Sequence, residues 1–260
     1  MPKRHGKGGA GQGEPKTPRN ARPHAANDDS VKISKKMSNL LRHRLHENGL
    51  GAVLRPDGYV PLEALMGTAG FRGVSVESVR AVVRDNDKQR FSIVREDGVE
   101  YIRANQGHTS QGIDESQLLE RLDEAALVRL GGRAVHGTYR SAWAAIAAAG
   151  GLSPMARHHV HLAADLPGES GVISGMRKSA EVHIWVDLVG AARAGVPIYR
   201  SANGVILTPG KPETRLLGSE HFARVLDVGR GLEWRDGAWA TMAAGAAATE
   251  GGSSSGRAHR

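Results

Sequence analysis

A chain of 260 residues with 40% hydrophobic content is long enough to bury a substantial core, and it is expected to hold two modest domains between flexible ends. It has no cysteine, which excludes a disulfide framework, thiolate zinc sites and cysteine nucleophiles and suits a reducing compartment. Of the net charge of +8, residues 1–36 carry +6 and residues 241–260 carry +1, so the middle is nearly neutral and any phosphate site there must rest on a few placed arginines.

Residues 1–29 read as a flexible, disordered basic tail, able to add salt-sensitive, sequence-blind affinity for nucleic acid. This N-terminus lacks an apolar signal-peptide core, and no apolar run approaches the ~20 residues that span a bilayer, so an intracellular, soluble protein of nucleus or cytoplasm is expected. Ile33, Met37, Leu40, Leu41 and Leu45 then recur at helical spacing, with Asp29 or Ser30 as N-cap and Gly49 as the stop. Arg42 and His43 sit side by side at the border of that buried stripe. Neighbours on a helix point about 100° apart, so both can reach into one cleft; taken alone, they are a solvated cation and a boundary histidine.

Pro61 opens a short helix to about Met66, and Ser75 caps another through Val76, Val79 and Val83. Phe91-Ser-Ile-Val and Val99-Glu-Tyr-Ile flank Asp97-Gly98, a strong hairpin signal. Helices followed by a hairpin make residues 30–104 a winged-helix lobe. Residues 105–113 read as a polar linker. A helix with Leu118, Leu119 and Leu122 follows, then a strand over Arg133-Ala-Val-His136-Gly137-Thr138 and an Ala-rich helix from Tyr139 to Ala149. His159-Val-His161-Leu alternates with period two, which puts both histidines on one face. Glu181–Val186 is a further strand, and Val196–Leu207 a hairpin about Asn203-Gly204. The pattern is α+β, with a mixed second lobe over 114–230 and a mostly disordered tail over 231–260.

Three turns carry arginine: Arg42-His43, Asp85-Asn-Asp-Lys-Gln-Arg90-Phe, and Ile173-Ser-Gly-Met-Arg177. Each singly is a solvated cation. Together they form a phosphate cradle if the lobes face each other, since guanidinium grips phosphate oxygens in pairs and stays charged. His158, His159 and His161 have no suitably spaced third metal ligand, so no metal is expected. No Gly-x-Gly-x-x-Gly follows a strand and no Walker loop is present.

Leu-Leu-Arg42-His43, Asn86-Asp-Lys-Gln-Arg90-Phe, His136-Gly-Thr138, Ser153-Pro-Met-Ala-Arg157-His-His159-Val-His161, Ser174-Gly-Met-Arg177 and Ser201-Ala-Asn-Gly-Val-Ile-Leu-Thr-Pro together resemble the NAD-dependent RNA (tRNA) 2′-phosphotransferase family, in its eukaryotic form, over about residues 33–228. The resemblance implies a winged-helix lobe joined to an ADP-ribosyltransferase-like lobe, with NAD⁺ consumed as co-substrate and no metal. The partner it implies is RNA bearing an internal 2′-phosphate, as in ligated tRNA at the splice junction, and the expected state is a monomer. The implied products are 2′-OH RNA, ADP-ribose 1″,2″-cyclic phosphate and nicotinamide. Arg42, Arg90 and Arg177 would bind the transferred phosphate and His43 would donate to it; His136, Gly137, Thr138, Arg157, His159 and His161 would hold NAD⁺. Competing expectations are an ADP-ribosyltransferase acting on protein or nucleic-acid ends, and a non-enzymatic winged-helix binder, which needs a basic recognition helix where Val76–Arg84 carries only Arg80 and Arg84.

Overall fold

In the computed structural model, which describes residues 23–166, 176–177 and 179–242, helix α1 spans Pro23–His43. It begins well before Asp29 and Ser30, so neither is its cap and the last part of the stretch read as tail is helical; residues 1–22 lie outside the described residues. It also stops well before Gly49. The cause is remote in sequence: the Arg42 carbonyl, which a continuing helix would offer to the next turn, accepts instead from the backbone N–H of Thr109 at 2.9 Å and of Ser110 at 3.2 Å. Gly49, at φ 76°, instead closes a 3₁₀ turn over His46–Asn48.

Met37, Leu40 and Leu41 form the buried stripe of α1, and Leu45 continues it. They pack with Leu62 and Leu65 of α2 (Leu62–Gly67), which follows the short strand β1 (Val60–Pro61), and with Val79 and Val82 of α3 (Val76–Arg84). As the sequence predicts, the Ser75 hydroxyl caps α3, accepting from Ser78 N at 3.1 Å. Strands β2 (Phe91–Glu96) and β3 (Val99–Ala104) pair about Asp97-Gly98, and β1 adds to β3, giving an antiparallel sheet of order β1-β3-β2. Its inward residues Phe91, Ile102 and Ala104 close this first core.

Residues 105–113 are not a solvated linker. Asn105 and His108 are each only 3% exposed, and the segment lies across the end of α1. The leucine spacing after it predicts a helix carrying Leu118, Leu119 and Leu122, yet one turn forms, α4 (Glu115–Leu118), capped by Asp114. Leu119 turns extended so that β4 (Glu120–Arg121) can pair with β9 (Tyr199–Arg200).

The second core lies among α5 (Glu124–Arg129), α6 (Arg140–Ala149), α7 (Leu188–Arg193) and the strands they cover. Strand β5 (Arg133–Thr138) pairs with β8 (Val182–Asp187), β8 with β12 (Phe222–Asp227), and β12 with β13 (Leu232–Arg235), which turns back into β14 (Ala238–Thr241). A second sheet runs β4-β9-β10-β7, with β7 at Val160–Leu162 and β10 at Ile206–Thr208; a bridge between Val135 and Ala163 ties it to β5. All named pairings are antiparallel, and the molecule is α+β as the pattern predicts.

The reading of 231 onwards as tail is overturned as far as Thr241. Trp234 and Trp239 from the β13–β14 hairpin pack on Trp143 of α6, with ring centroids 5.2 Å and 5.7 Å away. The stretch after Thr241 is rich in alanine, glycine and serine, but two tryptophans before it are enough to hold a hairpin onto the core. Residues 243–260 lie outside the described residues. In the same first turn of α6, Arg140 grips Asp227 through Nε at 2.5 Å and Nη2 at 2.6 Å and also pairs with Glu181. The guanidinium holds the Asp227 carboxyl below its usual range, and the three residues tie α6 to β12 and to the start of β8.

Candidate active site

Arg42 is in the last turn of α1, where a cation suits the negative end of the helix dipole. Its Nε and Nη2 are buried and make no hydrogen bond to any described residue. Burial, reinforced by the cations of Arg157 and Arg90, lowers its pKa to about 10, so it remains protonated near neutrality. A charged fork that is desolvated, pressed by two other cations and without an acceptor fits an anion, whose oxygens would supply the missing partners.

Arg90 is braced rather than free to swing. Its Nη1 donates to Asn86 Oδ1 at 3.3 Å, and its carbonyl accepts from Asn105 N at 2.9 Å. The Asn105 side chain donates to the Gln89 carbonyl at 2.7 Å, holding that residue at φ 40°. Burial lowers the Arg90 pKa and Asp87 raises it; burial prevails. His43 Nδ1 lies 3.0 Å from the Thr109 hydroxyl, and burial together with Arg42 and Arg157 pushes the imidazole below its usual value. When Thr109 donates to Nδ1, the neutral ring keeps its Nε2–H as an outward donor.

Arg177 is placed differently from Arg42 and Arg90. It is exposed, and its Nη1 reaches the Tyr139 hydroxyl at 3.4 Å. Next to it, the Met176 carbonyl accepts from the ammonium of Lys88 in the Asn86–Arg90 turn at 3.4 Å. Ser174 and Gly175 of the same motif lie outside the described residues. The cation that acts on Arg42 beside Arg90 is Arg157, which the resemblance assigns to the cofactor.

The remaining predicted residues gather on β5 and β7. His136 Nδ1 donates to the His161 carbonyl at 2.9 Å, and burial lowers its pKa. Thr138 is buried, and its carbonyl takes the Glu181 N–H at 2.9 Å. Between them Gly137 is pressed against Met176: a Cβ there would overlap Met176 Cγ and Sδ. His159 packs its ring edge-on against Tyr199 at 5.8 Å, with Nε2 3.3 Å from Glu115 Oε2. His161 is engaged at both nitrogens, Nδ1 with the His159 carbonyl at 3.0 Å and Nε2 with the Gln106 amide at 2.8 Å. Both its ring nitrogens are therefore engaged with protein groups.

Pattern reading missed Gln106, Glu115 and Asn203. Asn203 donates its side-chain N–H to the Lys88 carbonyl at 2.9 Å, joining the Arg90 turn to the β9–β10 hairpin. Glu115 faces both His158, at 3.1 Å, and His159. The available signal was compositional: Asn-Gln-Gly-His carries none of the Lys, Glu or Pro that keeps a solvated linker solvated.

Among the described residues no group of three or more His, Asp or Glu is placed to hold a metal ion, and no helix is long and apolar enough to cross a membrane. Helix α3 makes a poor nucleic-acid reader. Its Arg80 pairs with Glu100 at 2.5 Å and with Glu77, and its Arg84 pairs with Asp85 at 2.8 Å, so its cations are already neutralised.

The family model described as RNA 2'-phosphotransferase, Tpt1 / KptA family matches residues 28–210. A protein of Schizosaccharomyces pombe named putative tRNA 2'-phosphotransferase is 42% identical over 198 residues, 76% of this chain and 52% of that protein, so the chain spans about half of its length. The tRNA 2'-phosphotransferase 1 of Bos taurus is 42% identical over 216 residues, covering 82% of each chain. That of Homo sapiens is 42% identical over 204 residues, 77% of each.

Proposed function

The chain belongs to the RNA 2'-phosphotransferase, Tpt1 / KptA family, and from that premise we propose that it is an NAD-dependent tRNA 2′-phosphotransferase that removes the splice-junction 2′-phosphate from ligated tRNA. The products are 2′-OH RNA, ADP-ribose 1″,2″-cyclic phosphate and nicotinamide. In this reading the first core belongs to a winged-helix lobe that receives RNA, and the second to an ADP-ribosyltransferase-like lobe that receives the dinucleotide. The observation that carries it is the Arg42 fork, charged under the repulsion of Arg157 and Arg90, whose buried Nε and Nη2 have no acceptor among the described residues.

When bound, NAD⁺ supplies an electrophilic ribose carbon with nicotinamide as leaving group, and the hydroxyl that afterwards takes the phosphorus. The residues around it fit such a group. The His136 imidazole engages only Nδ1 with the described residues, and Gly137 lets the chain pack closely beside Met176. Thr138, Arg157 and His159 complete the set, while His161, within β7, ties that strand to Gln106. The attacking phosphate is already anionic, so the first step asks the protein mainly for positioning. The second step builds charge on phosphorus and asks for fixed cations. Arg42 and Arg90 provide them, the exposed Arg177 would add a third, and His43 donates to a phosphate oxygen through its Nε2–H.

The deciding experiment incubates the protein with labelled NAD⁺ and a 2′-phosphorylated oligonucleotide. Label released as a cyclic phosphate is the expected result; label that stays on the acceptor would show ADP-ribosyl transfer instead. Arg90→Ala should stall the second step more than dinucleotide binding, so that label is held on the RNA strand. Release by that variant at the wild-type rate would refute its role. Gly137→Ala should drive Met176 away, and with it the carbonyl that Lys88 grips, lowering kcat/KM for NAD⁺ roughly 10²-fold through misplacement of reacting groups. Steady-state kinetics at saturating RNA measures this.

A further inference from the structure

The segment between the two cores reaches the histidine strand at one point with a definite chemical requirement. His161 Nδ1 lies 3.0 Å from the carbonyl oxygen of His159, which can only accept, so the ring proton is on Nδ1 and Nε2 carries a lone pair. That lone pair faces the terminal amide of Gln106, nearest atom Oε1 at 2.8 Å. Two acceptors do not face each other at that distance. A half-turn of the amide presents its N–H₂ instead, and this is the orientation the contact demands. Burial, with the cations of Arg157 and Arg42 nearby, holds the His161 pKa down to about 3, so a second ring proton is not available to resolve the contact.

The neighbouring residue meets the phosphate cluster. A Cβ on Gly107 would stand 3.6 Å from Arg42 Cδ and Cζ and 3.5 Å from His161 Nε2, so Gln106-Gly107 is a wedge between the Arg42 side chain and β7. Two residues on, Thr109 and Ser110 hold the Arg42 carbonyl.

We propose that Gln106 is a positioning residue: its amide N–H, donated to His161 Nε2, seats the wedge that aims the Arg42 guanidinium at the reacting phosphate. This rests on the reading of the site as a 2′-phosphotransferase centre. The His161 tautomer, however, is tested without any turnover. In ¹⁵N-histidine spectra of the wild-type protein, His161 should be the neutral form protonated on Nδ1, and its Nε2 shift should move in Gln106→Glu, which keeps the shape and removes the donor. Kinetically, Gln106→Glu and Gln106→Ala should both lower kcat about 10²-fold, as a small misplacement of a reacting group does, while KM for NAD⁺ changes less than threefold. Gln106→Asn, which keeps a donor on a shorter arm, should recover part of kcat. A wild-type His161 protonated on Nε2, or a Gln106→Glu enzyme with wild-type kcat, would overturn the proposal. If the wild-type protein itself fails to release a cyclic phosphate, the functional reading falls while the tautomer result stands by itself.

Discussion

Replacing Arg42 by alanine should lower turnover of a 2′-phosphorylated RNA by about 10²–10³-fold, the loss seen when one preorganised donor to a developing charge is removed. Such a site binds its anion more tightly as charge builds on phosphorus, so the effect should fall on kcat more than on KM for NAD⁺. Arg42→Lys should recover little of it, because an ammonium on a flexible stem does not reproduce a planar fork with two buried donors aimed in fixed directions. Stability should move differently. The guanidinium is desolvated, has no carboxylate partner among the described residues and is repelled by Arg157 and Arg90, so its removal should leave the melting temperature equal to the wild type or above it. A variant that lost activity by unfolding would show Arg42 to be a structural residue and would remove the central support for the proposed chemistry.

Trp143→Ala should destabilise the protein by about 3–5 kcal/mol, in the range for large-to-small replacements of buried aromatic residues. Trp143 is 5% exposed and is the ring on which Trp234 and Trp239 both rest. The two outer rings also meet each other, with centroids 5.3 Å apart, so the cluster loses its hub and not merely one face. Ending the chain at residue 230 should lower the melting temperature comparably, because it removes both outer rings and exposes the edge of β12, which pairs with β13 at Leu226–Glu233 and Asp227–Leu232. Chemical denaturation of both variants measures the effect. A truncated chain as stable as the full one would mean that the hairpin is an ornament on the fold and that the tail reading was right in energetic terms.

Legibility followed the range of the forces involved. The start of α3 was readable because a Ser75 side chain satisfies a backbone N–H three residues away. The β2–β3 hairpin was readable because Asp97-Gly98 favours the turn wherever it occurs. The length of α1 was not. Its end depends on two N–H groups from residues 109 and 110 that capture the Arg42 carbonyl, and nothing near residue 42 announces them. The same holds for the one-turn helix at Glu115–Leu118, cut short by strand pairing with a segment near residue 200.

By itself, then, the sequence determined the α+β class, the strands that carry His136 and His161, the family, and the arginine-bearing turns worth inspecting, since all of these are written in local spacing and residue type. Which cations act on one another was left to packing: Arg157 and Arg90 both bear on Arg42, Arg177 reaches Tyr139, and the apparent linker lies between Arg42 and His161. The physical reason is that a charge's neighbours, and the donors that fix an imidazole's proton, are chosen by packing between distant segments. Periodicity along the chain holds no record of them.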